Sequence, residues 1–178
     1  MSLVVDLLIG LWLILPAYFA NSSAPLARGK KPVDGGGRFR GRPLLGNGKT
    51  WEGTLFAVFS GTAAGVLLIL LYPYVSPITA GRGVVLPPHT IVSVFMISLG
   101  AMVGDMVGAF IKRQSDIPRG EPAPLLDQLD FVVGAFIFAA PFIELRLISV
   151  ALVVAFTPFI HLTANLIGYK LGHKKVPW

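Results

Sequence analysis

The sequence contains no cysteine and only three histidines, and these two shortages exclude several kinds of chemistry. A chain without cysteine forms no disulfide, no thiolate metal site and no cysteine nucleophile. The histidines are His89, His161 and His173, and no two of them lie close together in the sequence. Because biological zinc sites are built mainly from cysteine and histidine, we do not expect a histidine-based zinc centre.

Charged residues are also scarce. They make up 13% of the 178 residues, whereas soluble domains average about 25%. Hydrophobic residues make up 54%, and the mean hydropathy is +0.72. The net charge of +6 would suggest a nucleic-acid partner in a soluble protein. With so little charge overall and several long apolar runs, the composition instead predicts a membrane protein with no nucleic-acid partner.

Five apolar stretches predict an all-α integral membrane protein that forms a single membrane domain over residues 1–178. Each stretch is long enough to cross the bilayer as a helix. The predicted spans are residues 3–20, 53–75, 90–111, 125–143 and 147–169. Two polar loops, residues 21–52 and 112–124, carry most of the charge, and a loop rich in Pro and Gly is expected at residues 76–88.

The lysines and arginines predict how the chain crosses the membrane. Thirteen of the 15 fall on one side if residues 28–49, residues 112–124 and the C-terminal tail face the same compartment. The positive-inside rule makes that side cytoplasmic, which predicts an outside N-terminus, a cytoplasmic C-terminus and a site facing the cytoplasm of a cell-membrane protein. Asp6 and Glu144 fall at the opposite end, where we expect them at the membrane interface.

Three aspartates stand in the third and fourth predicted spans, and such residues are functional-site candidates by default. Asp105 precedes Lys112 by seven residues, so the two lie on roughly one helix face. Asp127 and Asp130 are three apart, which also places them on one face. Three carboxylates without histidine or cysteine describe a site for a hard cation such as Mg²⁺. The alternatives are an ion-paired acid packed beside a glycine ridge for Asp105, and a favourable helix-dipole position for Asp127.

Basic residues beside these acids suggest a phosphate clamp. We favour that role for Lys49, Lys112 and Arg113, which adjoin the acid-bearing segments. The cations between Arg28 and Arg42 fit equally well as contacts to anionic lipid headgroups.

The run Gly46-Asn47-Gly48-Lys49-Thr50 ends like a nucleotide-binding P-loop, but Pro43 occupies the position of its first glycine. No strand precedes the run, so a Walker-type ATPase is rejected. Backbone N–H groups of this turn can still bind phosphate at the start of a helix. Thr50 has the alternative role of a helix N-cap. For Asn21, and for the pair His161 and Asn165, an interhelical hydrogen bond is the favoured role.

Four groups of residues spread over nearly the whole chain carry a family resemblance. They are Pro16-Ala17-Tyr18 with Asn21 and Pro25; Pro32-Val33-Asp34-Gly35-Gly36; Leu45-Gly46-Asn47-Gly48-Lys49-Thr50-Trp51 with Gly53; and Gly104-Asp105 with Lys112-Arg113 and Asp127-Gln128-Leu129-Asp130. Together they resemble the archaeal CDP-archaeol synthases, which are CTP:2,3-di-O-geranylgeranylglyceryl phosphate cytidylyltransferases related to the CDP-diacylglycerol synthases. The Pro-Gly-His-Gly-Gly segment of the bacterial relatives is not reproduced, since this chain has Ile117-Pro118-Arg119-Gly120.

The resemblance implies a magnesium-dependent membrane enzyme that joins CTP to a lipid phosphate and releases pyrophosphate. It implies magnesium ligands at Asp105, Asp127 and Asp130, and catalytic cations at Lys49, Lys112 and Arg113. Nucleotide-binding roles are implied for Asn21, Gly46, Gly48, Lys49, Thr50 and Arg119.

Two other functions use similar residues. A CDP-alcohol phosphotransferase also employs aspartates and magnesium, but its Asp-Gly motif continues with Ala-Arg, and Asp34-Gly35 does not. A small cation or anion transporter also needs acids within the membrane. It would place them near the bilayer midplane on broken helices, often in inverted repeats, and no internal repeat is visible in this sequence.

Overall fold

The structure, a computed structural model, describes residues 2–170. Within this range the chain forms five α-helices: α1 Leu3–Ser23, α2 Trp51–Ala80, α3 Ile91–Gln114, α4 Leu126–Ala139 and α5 Leu147–Lys170. A 3₁₀ turn, Ala24–Ala27, follows α1. The short strands β1 Arg38–Phe39 and β2 Arg42–Pro43 pair antiparallel in the first loop, a feature that the sequence patterns did not predict. Lys174, Lys175 and His173 lie outside the described residues.

Four of these helices are long and apolar enough to cross a membrane: α1 with its 3₁₀ turn, α2, α3 and α5. Helix α4 has 14 residues, or about 21 Å of helix, against a hydrocarbon core of about 30 Å. The helical class is therefore confirmed over the described residues, whereas a fifth crossing by α4 stays a prediction.

The helix that contains the second predicted span, residues 53–75, is longer than that span, because α2 continues to Ala80 through Pro73 and Pro77. Proline interrupts a helix by removing a backbone donor. In apolar surroundings, however, the remaining backbone groups gain most from staying helical, so proline is tolerated there. Helix α2 ends where Gly81 donates its N–H to the carbonyl of Pro77 at 3.1 Å and the chain turns at Gly83 with φ +76°.

Glycines bring the helices into close contact within this chain. A Cβ atom added to Gly100 or Gly104 of α3 would collide with the backbone of α4 at Gly134 or Asp130. Gly61 of α2 lies against α1 in the same way, with the carbonyl of Pro16 as its neighbour. The core between the helices is filled by fully buried apolar side chains, among them Ile14, Ala17, Ile97, Val132 and Phe131.

The bundle has two different ends. The basic end carries residues 24–50 and 115–125, and the far end carries residues 81–90 and 140–146. At the far end Asp6 is 4% exposed and lies 3.2 Å from Nη1 of Arg146, measured to its Oδ1 atom. Asp6 is thus buried within the bundle, and its position at the membrane interface stays a prediction. The segment before α5 packs against the start of α1, so that Arg146 supplies the partner a buried acid needs.

His161 and Asn165 lie one turn apart on α5. Nδ2 of Asn165 is 3.1 Å from Nδ1 of His161, so this hydrogen bond forms within the helix. A spacing of four residues suits such a pair on one helix, and a bond from either residue to another helix stays a prediction.

Candidate active site

A cavity of about 450 Å³ opens at the basic end of the bundle. The 3₁₀ turn, the loop before α2, the end of α3 and the start of α4 form its walls. Ten residues predicted from the sequence line it, namely Asn21, Gly48, Lys49, Thr50, Asp105, Lys112, Arg113, Arg119, Asp127 and Asp130. Residues from separate parts of the chain are thus brought to a single polar cavity.

Lys49 and Asp105 form a close ion pair in the wall of this cavity. The Nζ atom of Lys49 lies 2.6 Å from each carboxylate oxygen of Asp105. The side chains are 26% and 21% exposed, respectively, so the pair is partly screened from water but reachable from the cavity. Asp105 is thereby held by a residue 56 positions earlier in the chain.

A second ion pair joins Lys112 of α3 to Asp127 of α4. The Nζ atom of Lys112 is 2.8 and 2.9 Å from the two carboxylate oxygens, and it also donates to the carbonyl of Glu121 at 2.7 Å. Asp127 Oδ2 accepts the N–H of Ala123 at 2.8 Å. Asp127 therefore fixes the loop before α4 and pairs with a cation, while Lys112 lies on the cavity wall beside it.

Asp130 lies one turn further into the bundle, where a glycine makes room for it. Its Oδ1 atom accepts the N–H of Phe131 at 2.6 Å. Its Oδ2 atom rests against Gly108 of α3, and a Cβ at position 108 would overlap it. Among the residues that the structure describes, Asp130 forms no ion pair. It is the cavity acid that has no lysine or arginine bound to its carboxylate.

Only part of the glycine-rich turn before α2 lines the main cavity. Gly48 and Lys49 line the main cavity, whereas Gly46 lines a neighbouring one. The N–H of Gly46 donates to Asp34 at 3.1 Å, so this amide is engaged within the loop. Thr50 caps α2, with its Oγ1 atom accepting the N–H of Gly53 at 3.2 Å. The N-cap role predicted for Thr50 is confirmed.

Two arginines stand between the main cavity and its neighbour, which measures about 510 Å³. Both Arg113 and Arg119 line the two cavities. The Nε atom of Arg113 is buried without a hydrogen-bond partner among the described residues. The Arg119 side chain lies so close over Gly48 that a Cβ there would sit 3.3 Å from its Nε atom. Cationic groups thus surround the opening of the site.

Sequence reasoning gave no specific site role to two residues that the structure places at the cavity. Arg28 lines it from a left-handed backbone conformation, with φ 48°. Asn47 lines both cavities. Asn47 could have been predicted to line the site, because it lies inside the glycine-rich turn. For Arg28 a phosphate contact and a lipid-headgroup contact were equally favoured, because it is one of seven cations between residues 28 and 49.

The carboxylate oxygens in the cavity are donors of the kind that a hard metal ion takes. No group of three or more histidine and acidic side chains within residues 2–170 is gathered into a ready metal cluster. Magnesium, however, commonly takes one or two carboxylates and completes its shell with waters and substrate phosphates. Asp105, Asp127 and Asp130 carry oxygen donors of this type, and in the structure Lys49 and Lys112 bind the first two of these carboxylates.

Known proteins resemble this chain over nearly its whole length. A family model described as "CarS-like: CDP-archaeol synthase" matches residues 2–178. A CDP-archaeol synthase of Thermococcus gammatolerans is 46% identical over 171 residues, covering 94% of each chain. That of Methanocaldococcus jannaschii is 46% identical over 170 residues, covering 94% of this chain and 95% of its own.

A solved structure is also similar. It is described as an intramembrane enzyme for archaeal membrane lipids biosynthesis, and it superposes with a TM-score of 0.73 at 40% identity. The match covers 89% of this chain and 94% of the solved one. At this identity and coverage, sequence and fold agree on a single family.

Proposed function

The chain belongs to the CDP-archaeol synthase family, and we propose that it transfers the cytidylyl group of CTP to 2,3-di-O-geranylgeranylglyceryl phosphate. The products would be CDP-archaeol in its unsaturated form and pyrophosphate. The observation that carries the proposal is the cavity at the basic end, where ten residues expected from the family resemblance meet.

We also propose the orientation of the protein in the membrane. Five crossings would place the N-terminus outside and the C-terminus in the cytoplasm, with the basic end facing the cytoplasm, where CTP is found. The concentration of lysine and arginine at this end supports that orientation. The shortness of α4 is compatible with a crossing if the segment before α5 completes it.

In the proposed reaction a phosphate oxygen of the lipid attacks the α-phosphorus of CTP as the bond to pyrophosphate breaks. A phosphomonoester dianion is a competent nucleophile near neutral pH, so no protein base is needed. Such transfers depend on positioning and charge neutralisation. Lys49 and Lys112, with Arg113 and Arg119 above them, line the cavity where the leaving pyrophosphate would develop its charge.

Asp105, Asp127 and Asp130 would hold magnesium at the floor of the cavity, since their oxygens are suitable donors. When bound there, the ion would supply positive charge against the charge that develops on the phosphates. Lys49 and Lys112 neutralise two of these acids in the structure described here. These lysines therefore have to turn towards the nucleotide phosphates if the acids are to accept a metal.

The lipid substrate would approach from the side of the bundle. Helix α2 carries exposed apolar side chains along its length, including Leu55, Phe59 and Leu67. Prenyl chains can lie against such a surface at bilayer depth while the phosphate headgroup reaches the cavity. The headgroup and the chains are thus met by two different surfaces, one polar and one apolar.

The test is to incubate purified protein with labelled CTP, Mg²⁺ and the ether-lipid phosphate. We expect a labelled CDP-lipid together with pyrophosphate, both dependent on the lipid phosphate. A protein that releases CMP from a CDP-lipid and an alcohol would instead be a phosphotransferase. If labelled CTP yields no CDP-lipid under conditions where a related synthase is active, the proposed function is wrong.

A further inference from the structure

Asp34 is the single acid among the seven cations of residues 28–49, yet it does not pair with any of them. Its carboxylate binds backbone amides. Oδ2 accepts the N–H groups of Leu45 and Gly46 at 2.8 and 3.1 Å, and Oδ1 accepts that of Gly36 at 3.0 Å. Among the described residues Asp34 forms no ion pair.

These hydrogen bonds hold the segment that delivers Lys49. The N–H of Val33 donates to the carbonyl of Lys49 at 2.8 Å, and the N–H of Trp51 donates to that of Lys31 at 3.0 Å. The segment is thus tied at Leu45 and Gly46 by Asp34 and at Lys49 by Val33. The residues between the two ties line the main cavity, and Lys49 extends from the second tie to Asp105.

The electrostatics of Asp34 suit this arrangement. Partial desolvation by itself raises the pKa of the Asp34 carboxyl, but the hydrogen bonds from Leu45, Gly36 and Gly46 outweigh it and hold the pKa below its ordinary value of 3.8. The carboxylate is therefore ionised at neutral pH, and each hydrogen bond to it is charge-assisted.

We propose that Asp34 is a positioning residue for cytidylyl transfer, because its carboxylate clamps the turn at residues 45–49 and so aims Lys49 into the cavity. This role rests on the proposed function. Asp34 would touch neither nucleotide nor metal, since its oxygens face the backbone of its own loop. Loss of the clamp would leave the chemical groups in place but poorly aligned, and misalignment of about 1 Å is costly in catalysis.

The first test compares Asp34→Asn with a matched control, Asp116→Asn. Both variants remove one negative charge at the basic end, but Asp116 is an exposed partner of Arg42 and holds no turn. In Asp34→Asn one carboxylate oxygen becomes an NH₂ group, which cannot accept an amide N–H. We expect kcat to fall about tenfold with the KM for lipid phosphate unchanged, and Asp116→Asn to retain wild-type turnover.

The second test asks whether Asp34 acts through Lys49. We expect Asp34→Asn to lower turnover about tenfold in the wild-type background and hardly at all in a Lys49→Met background. An equal loss in both backgrounds would overturn the proposal. It would mean that Asp34→Asn lowers turnover independently of Lys49, as a general loss of stability does.

Hydrogen exchange separates this proposal from the proposed function. In Asp34→Asn a peptide covering residues 44–46 should exchange faster than in wild type, while peptides from α3 should be unchanged. Unchanged exchange at residues 44–46 overturns the clamp. Wild-type protein that makes no CDP-lipid overturns the proposed function instead, and the exchange measurement then decides the clamp by itself.

Discussion

The two ends of the bundle each contain an acid bound to a cation, and their surroundings differ. At the basic end the Lys49–Asp105 pair lines an open cavity of about 450 Å³ among further cations. At the far end Asp6 is 6% exposed at its side chain, and Arg146 covers it. An acid in a membrane helix is thus not functional by position alone. The space and charge around it decide whether it can meet a ligand or only joins two segments.

Removing the charge of each acid in turn tests most directly whether the two ends have different roles. In Asp105→Asn we expect turnover to fall on the order of 10³-fold, because the variant loses the charge of a proposed metal ligand that also binds Lys49. CDP-lipid formation by purified protein measures this loss. Asp6→Asn is the matched control, since it neutralises an ion-paired acid at the other end. Near-normal turnover of Asp105→Asn would contradict the metal role.

We expect Lys49→Met to change turnover and metal affinity at the basic end in opposite directions. Turnover should fall about 10²-fold, because the variant lacks the cation proposed to stabilise the leaving pyrophosphate. At the same time Mn²⁺ should bind more tightly in the absence of nucleotide, since both oxygens of Asp105 are released from Lys49. Electron paramagnetic resonance of Mn²⁺ measures the free ion.

Lys30→Met provides the control for Lys49→Met, because it removes one cation from the exposed part of the same loop. We expect both its turnover and its Mn²⁺ affinity to remain at wild-type values. If Mn²⁺ affinity were unchanged in Lys49→Met as well, Asp105 would not be a metal ligand.

At the far end the expected effect is on stability. Asp6→Asn removes the carboxylate charge beside Arg146, and we expect a loss of about 1–3 kcal/mol in the free energy of unfolding, less than for a fully buried pair because Arg146 is 44% exposed. Thermal unfolding in detergent measures this change. Turnover per folded molecule should be unaffected. A large loss of turnover without loss of stability would show that the two ends are coupled.

The sequence predicted the helices and ten of the residues that line the cavity, because both depend on local composition. Long apolar runs identify helices such as α3, and the acids and lysines stand out against them. The pairing could not be predicted. Asp105 and Lys112 share a helix face, yet Asp105 binds Lys49 from the loop before α2 and Lys112 binds Asp127 of α4. The second pair forms because Gly100, Gly104 and Gly108 let α4 approach α3 closely. Tertiary packing of this kind leaves no periodic signal in one sequence.

The smallest expected effect concerns pH at the far end. His89 is 6% exposed, its Nε2 lies 3.3 Å from the carbonyl of Trp12, and desolvation lowers its pKa below the ordinary 6.5 despite that contact. A histidine with a lowered folded-state pKa binds fewer protons when folded than when unfolded. Stability should therefore be fully present above pH 6.5 and should decline as the pH falls below it.

Thermal unfolding between pH 8 and pH 5 measures this decline, which we expect to be smaller in His89→Gln. The basic end should behave differently over the same range. The depressed pKa of Asp34 keeps its contribution intact until the pH falls below 3.8, so the hydrogen exchange of residues 44–46 should stay constant from pH 8 to pH 5 once corrected for the intrinsic rate. A decline that persists undiminished in His89→Gln would assign the pH dependence to another group.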